Sequence, residues 1–411
     1  MSAEPNNTSI STRVVDVPLR SQYANETAPE VQRSRALSIL FLIDQLAGLG
    51  GGEASLIKIV RHLPREKFRC SVVTLSARVN PGIAGQLACP LHVLPVCRVF
   101  GLDSLRAAMQ LRHLIRTDRI DIVHTFFETA NLWGGLVSKL GGGPVLVSSR
   151  RDMGILRRSL KHRLGYKIIN RMCDKVVAVS NAVRAVTLQQ EGIAYDKMVT
   201  LYNGVDLAGI SSTPADHQWR MNHGCGPHDP VIASVGNIRR VKGMDTLIHA
   251  AALVCREAPR TRFVIIGGDD ELTYAEQLRQ TICSLGLEKN VFFAGHSQRV
   301  IPILKSSQAF CLLSRSEGFS NAILEAMACG LPCVVTGVGG NPEAVINDVS
   351  GFVVPPDDPE CAADRLLRLL RDRARACAMG AAGRGLVASR FTTEVMISEL
   401  AELYGQLAGR E

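Results

Sequence analysis

The sequence predicts an α/β protein of two doubly wound domains facing each other across a cleft, and three observations carry that expectation. Short apolar runs alternate with segments of helical period in two successive series. A polar stretch rich in Ser, Thr, Pro and Gly separates the series, and a glycine-containing turn follows the leading strand of each. At 411 residues the chain is long enough for two domains with separate cores. Hydrophobic residues make up 46% and charged residues 21%, a globular balance that excludes a fibrous or low-complexity chain.

Residues 1–35 are polar, mixed in charge and without the apolar centre of a secretory signal, so a flexible leader and a cytoplasmic protein are expected. The apolar run Ala36 to Ile43 is far below the roughly 18 residues of a membrane span. The first domain, 36–207, opens with the strand Leu37 to Ile43, a turn at Gly48 to Gly52 and a helix over Glu53 to Leu63, where Leu56, Ile59, Val60 and Leu63 share a face. A strand at Arg69 to Leu75, a helix at Leu102 to Ile115 and a strand at Asp121 to His124 follow. Next come a helix at Thr129 to Leu140, a strand at Val145 to Ser148, a helix at Leu156 to Met172 and a strand from Lys175. Residues 208–229 read as a linker. The second domain, 230–384, repeats the alternation with strands at Val231, Phe263, Ala309 and Cys333 and helices at Met244, Leu272 and Asn321; a helix over 385–411 could pack back on the first domain. Parallel sheets of this kind bind ligands beyond the carboxyl ends of their strands, so the site should draw on both halves.

Charge is divided unevenly. Residues 1–200 carry 27 Lys and Arg against 15 Asp and Glu, whereas residues 201–411 carry 20 against 23. The stretch Arg150 to Lys175 concentrates the surplus. Its Leu156, Leu160, Leu164, Ile168 and Met172 recur every fourth residue, which fits a core-facing stripe with a solvated basic side, or a surface that docks on an anionic membrane. Nucleic acid fits poorly, because the basic stretch has no interleaved aromatic platform and aromatic residues are 5% overall. The 12 cysteines lack a Cys-x-x-Cys spacing and read as reduced core residues, with no metal site expected.

Two motifs suggest phosphate chemistry. Gly236-Asn-Ile-Arg-Arg-Val-Lys-Gly243 joins a strand to a helix start and places cations beside free amides, although the Gly-Lys-Ser/Thr of a P-loop is missing. Ser314-Arg-Ser-Glu317-Gly-Phe-Ser-Asn-Ala-Ile-Leu-Glu325 puts Glu317 in a loop and Glu325 one turn inside a helix, with Ser320 or Asn321 as N-cap. The two acids can then serve different parts of a ligand while the amides at Ser320 to Ala322 face its phosphate.

The Glu-x7-Glu pair, in its Glu-Gly-Phe…Leu-Glu-Ala-Met-Ala-x-Gly-x-Pro setting, resembles the retaining nucleotide-sugar glycosyltransferases of family GT4, which have the GT-B fold of two Rossmann-like domains. Gly50-Gly-Gly-Glu53, Asp121-Ile-Val-His124, Ser148-Ser-Arg-Arg-Asp152, Tyr202-Asn-Gly-Val-Asp206 and Gly339-Gly-Asn-Pro-Glu343 extend the resemblance. It implies Lys242, with Arg239 or Arg240, on the donor diphosphate; the family's arginine position after the first glycine is Asn237 here. It also implies Glu325 on the ribose, Glu317 and Gly318, Phe319, Ser320 and Asn321 on the donor sugar, Gly51 and Gly52 near the diphosphate, and His124 at the reaction centre. Arg150 and Arg151, ending a strand at the cleft, are expected to meet the acceptor. The implied activity is transfer of a hexose-type sugar from a UDP- or GDP-sugar to a glycan or lipid-linked hydroxyl, with retention and without a cofactor or required metal, in cell-surface assembly. A sugar-nucleotide epimerase or a non-catalytic nucleotide-sugar binder would share the donor motifs.

Overall fold

The computed structural model describes residues 35–409 apart from 49, 97–100, 141–142, 155–159 and 298, so nearly all of the expected leader, together with Leu156, lies outside the described residues. The first domain runs β1 (Leu37–Ile43), α1 (Gly51–His62), β2 (Phe68–Thr74), α2 (Pro81–Ala84), β3 (Leu91–Val93), α3 (Leu102–Thr117) and β4 (Ile122–Phe126). It continues with α4 (Gly135–Leu140), β5 (Val145–Arg150), α5 (Leu160–Met172), β6 (Lys175–Ala178), α6 (Asn181–Glu191) and β7 (Met198–Thr200). The expected linker holds two short helices, α7 (Leu207–Ser212) and α8 (His217–Asn222), started by the side chains of Asp206 and Asp216. Arg220 of α8 donates to the carbonyls of Ser306 and Asp229, which fixes this segment against the second domain.

The second domain runs β8 (Val231–Val235), α9 (Met244–Glu257), β9 (Arg262–Ile266), α10 (Leu272–Ser284), β10 (Val291–Gly295), α11 (Val300–Lys305) and β11 (Ala309–Leu312). Then come α12 (Asn321–Ala328), β12 (Cys333–Thr336), α13 (Asn341–Ala344), β13 (Gly351–Val354) and three closing helices, α14 (Pro359–Arg371), α15 (Arg373–Arg390) and α16 (Thr393–Leu407). The sheets have strand orders β3-β2-β1-β4-β5-β6-β7 and β10-β9-β8-β11-β12-β13. Every pairing between these strands is parallel. Strand order therefore turns at β1/β4 and at β8/β11, where cleft ligands bind in such sheets. All seven residues of β1 are buried, as a strand covered on both faces requires. α16 crosses back to the first domain, where Met396, Ile397, Leu400 and Tyr404 join the core beneath α1.

Two local readings are corrected. The helix expected from Thr129 starts as a π-helical turn, Ala130–Gly134: Phe127 adopts a left-handed backbone (φ 69°), and the Asp44 carboxylate accepts from the amides of Thr129 and Ala130. In α5 the residues that enter the core are Tyr166 and Ile169, while Leu164 and Ile168 of the four-residue stripe face outward.

Candidate functional site

Two helices begin at the cleft with their first amides unclaimed by a capping side chain. Gly50, before α1, is extended and has no side-chain oxygen to offer, and the Ser320 hydroxyl accepts no bond from α12. The two starts face each other, with Asn321 Nδ2 donating to the Gly51 carbonyl at 3.3 Å. The positive ends of two helix dipoles, one from each domain, thus meet where a polyanion can lie.

The basic loop and the Glu-x7-Glu segment meet beside them. Lys242 Nζ stands 2.7 Å from Glu317 Oε1, an oxygen that also accepts from Ser314 Oγ at 2.6 Å. Gly318 passes so close to the Arg151 carbonyl that any Cβ would overlap it. Arg151 Nη2 donates to Ser55 Oγ (2.6 Å) and to Asn203 Oδ1 (2.5 Å), and Asn203 Nδ2 donates to the Phe319 carbonyl (3.1 Å). Burial lowers the Arg151 guanidinium to about 10, against the opposing pull of Glu53, and raises the Glu53 carboxyl above its ordinary value. Arg151 is therefore tied into the domain junction.

Several expected residues are not at the centre. His124 is 1% exposed within β4; Tyr404 Oη lies 2.6 Å from its Nδ1 and Ser149 Oγ 2.8 Å from its Nε2. Burial, helped by the Arg151 charge, holds the imidazole down to about 3. Strand alternation turns this side chain toward α16, so it is a buried structural residue and the reaction-centre expectation is corrected. Arg150 is corrected likewise. It is fully buried, bonded to Glu191 at 3.0 and 3.1 Å and to Asn170 at 2.8 Å, and it joins β5 to α5 and α6. Arg240 lies over the Tyr274 ring (4.8 Å) and bonds Gln277 on α10, away from Lys242; Arg239 is exposed, its Nε 3.9 Å from Glu271. Asn237 bonds Asp270. Gly52 owes its identity to Phe127, whose ring a Cβ would strike.

Glu325 lines a cavity of about 330 Å³ with Lys58, Asp206 and Ile301 among its walls. Burial raises the Glu325 carboxyl and lowers the Lys58 ammonium, and each partly offsets the other's shift. Lys58 Nζ also donates to the Gly204 carbonyl at 2.9 Å. A second junction lies at α6, where the Glu343 carboxylate accepts from the amides of Asn181 (2.9 Å) and Ala182 (2.8 Å) and from Tyr202 Oη (2.8 Å). Ser180 Oγ donates to the Gly318 carbonyl at 2.8 Å. The sequence reading assigned no role to Lys58, Asn203, Ser180 or Glu343, although Asn203 and Glu343 sit within motifs it quoted.

Residues 216–386 match the family model described as Glycosyl transferases group 1, and residues 49–208 match Glycosyltransferase Family 4. A D-inositol 3-phosphate glycosyltransferase of Kineococcus radiotolerans is 31% identical over 66% of this chain and 68% of its own. The UDP-Gal:alpha-D-GlcNAc-diphosphoundecaprenol alpha-1,3-galactosyltransferase of Escherichia coli is 25% identical over 76% of this chain and 82% of its own. Among solved structures, Anabaena HepE in complex with UDP and glucose superposes with a TM-score of 0.78 at 23% identity, covering 90% of this chain and all of that one.

Proposed function

From the premise that the chain belongs to the group 1, family 4 glycosyltransferases, we propose that it moves a hexose-type sugar from a UDP- or GDP-sugar to a hydroxyl of a glycan or lipid-linked acceptor, with retention, in cell-surface polysaccharide or glycolipid assembly at the inner face of the cytoplasmic membrane. The observation that carries this reading is the convergence of the α1 and α12 helix starts beside the Lys242–Glu317 pair. The donor diphosphate lies across the two helix starts, with Lys242 as the cation beside it. Glu325 accepts from the ribose hydroxyls, and Glu317, held by Ser314 and Lys242, accepts from hydroxyls of the sugar.

In the step itself the bond from the anomeric carbon to the diphosphate oxygen breaks, and a bond to the acceptor oxygen forms on the same face. The acceptor proton passes to the departing phosphate oxygen, so no enzyme nucleophile is used. Lys242 and the α12 amides stabilise the negative charge that grows on the leaving group. Lipid-linked acceptors suit the relatives, one of which is named for a diphosphoundecaprenol substrate. The test is a thermal-shift screen against UDP, GDP and their sugars with EDTA present, followed by transfer assays with the donor that binds. Stabilisation by one nucleotide family, then nucleotide release that needs an acceptor, is expected. No shift with any nucleotide would overturn the reading, and release of an altered nucleotide sugar without acceptor would replace transfer by epimerisation.

A further inference from the structure

α3, α4 and α5 cover one face of the first sheet, with α4 in contact with both neighbours, and together they turn large apolar side chains to solvent. On α5, Leu164 is 60% and Ile168 50% exposed; on α4, Leu140 is 64% exposed; on α3, Leu105 and Met109 are exposed too. A row of cations runs beside the α5 stripe, because Arg163, Lys167 and Arg171 follow at the same four-residue interval and are exposed. No acid occurs in α5. The neighbouring acids are engaged, Glu128 with His162 at 2.6 Å and Asp174 with Lys139 at 2.6 Å. β5 ends at the cleft and α5 leads back to the start of β6, so the helix descends from the cleft side of the domain.

We propose that this face docks on an anionic phospholipid bilayer, with Leu164, Ile168 and Leu140 entering the headgroup boundary and Arg163, Lys167 and Arg171 meeting lipid phosphates. Aliphatic side chains bordered by long cations have the chemistry of an interfacial helix, since lysine and arginine can keep their charge at the headgroups while their stems cover apolar surface. A second copy is disfavoured, because a self-complementary contact here would set these cations against each other. Among the described residues no helix is long and apolar enough to cross a membrane. Docking in this orientation would bring the open side of the cleft toward lipid-borne hydroxyls, but the inference stands on the surface alone.

The test is flotation of the full chain with vesicles of phosphatidylcholine, with and without phosphatidylglycerol, at low and high salt. Binding only to the anionic vesicles, weakened by salt, is expected. Arg163→Glu/Lys167→Glu/Arg171→Glu should lower partitioning on the order of 100-fold, and Leu164→Ser/Ile168→Ser by roughly 10-fold. Both variants should keep the wild-type melting temperature and nucleotide response. Equal flotation on both vesicle types, undiminished binding by the variants, or a wild-type dimer that the variants dissolve would overturn the proposal. A chain that floats with anionic vesicles but transfers no sugar would leave the docking surface intact and remove the proposed activity, so the two failures are distinguishable.

Discussion

Replacing His124 by Gln separates a buried structural imidazole from a reacting one. The folded state holds His124 neutral down to about 3, against an ordinary value of 6.5. Between those limits the unfolded chain takes up a proton that the folded chain refuses, so stability must fall as pH falls through the window. The loss is about 1.4 kcal/mol per pH unit, or about 2 to 3 kcal/mol between roughly pH 6 and 4. Gln has no titrating group, so this part of the slope should vanish in the variant. At neutral pH the variant loses hydrogen bonds to Tyr404 and Ser149, an expected cost of about 1 to 3 kcal/mol. The assay is chemical denaturation of both proteins across that range, with sugar-transfer rates measured where both remain folded. Parallel stability profiles, or a kcat that collapses in a fully folded variant, would refute the structural assignment.

Three further changes probe the site. Lys242→Ala should lower kcat by roughly 100-fold or more through lost charge stabilisation at the leaving group, read by steady-state kinetics; a change confined to KM would move Lys242 out of that role. Glu325→Ala should weaken nucleotide binding by roughly 10-fold or more, since a hydrogen bond to a charged group contributes about 1.5 to 3 kcal/mol; unchanged titration calorimetry would reject the ribose contact. Arg150→Met, which strands the Glu191 carboxylate in the core, should cost about 3 to 5 kcal/mol in denaturation experiments while leaving the kcat of the folded fraction unaltered.

Much of the fold was legible because each domain repeats one grammar of buried strand, turn and amphipathic helix. The run Val231 to Val235 lies in a strand with those bounds. Some of the missing strands had weak local signals: β3 and β7 have three residues each, and β13 has four beginning with a glycine. The apolar strand β10 and the Ser180-capped helix α6 carried stronger signals and were passed over. The π-helical start at Ala130 depends on Asp44, which is distant in sequence, so periodicity within residues 129–140 could not show it. α5 misled for a different reason. Its four-residue stripe is real, but inside and outside depend on which residues face the core and Arg150 of the sheet, and Tyr166, under the Arg150 guanidinium, and Ile169 hold those places.

The site divides along the same physical line. Contacts made through a local strand-turn-helix unit, such as Glu317 with Ser314, follow from spacing, and the Lys242 contact joins two such units. Contacts that cross between domains do not, because nothing near Asn203 in sequence indicates that its amide bridges Arg151 to Phe319. Adjacent residues can even separate. Arg150 points into the layer of α5 and α6 and pairs with Glu191, whereas Arg151, one residue on, reaches Ser55 and Asn203 at the junction. Strand alternation accounts for that division: two arginines that look equivalent in the sequence hold different joints, one joining β5 to α5 and α6, the other holding Asn203, whose amide in turn crosses to the second domain at Phe319. Moving the second should therefore disturb donor binding through Phe319, while moving the first should disturb folding alone.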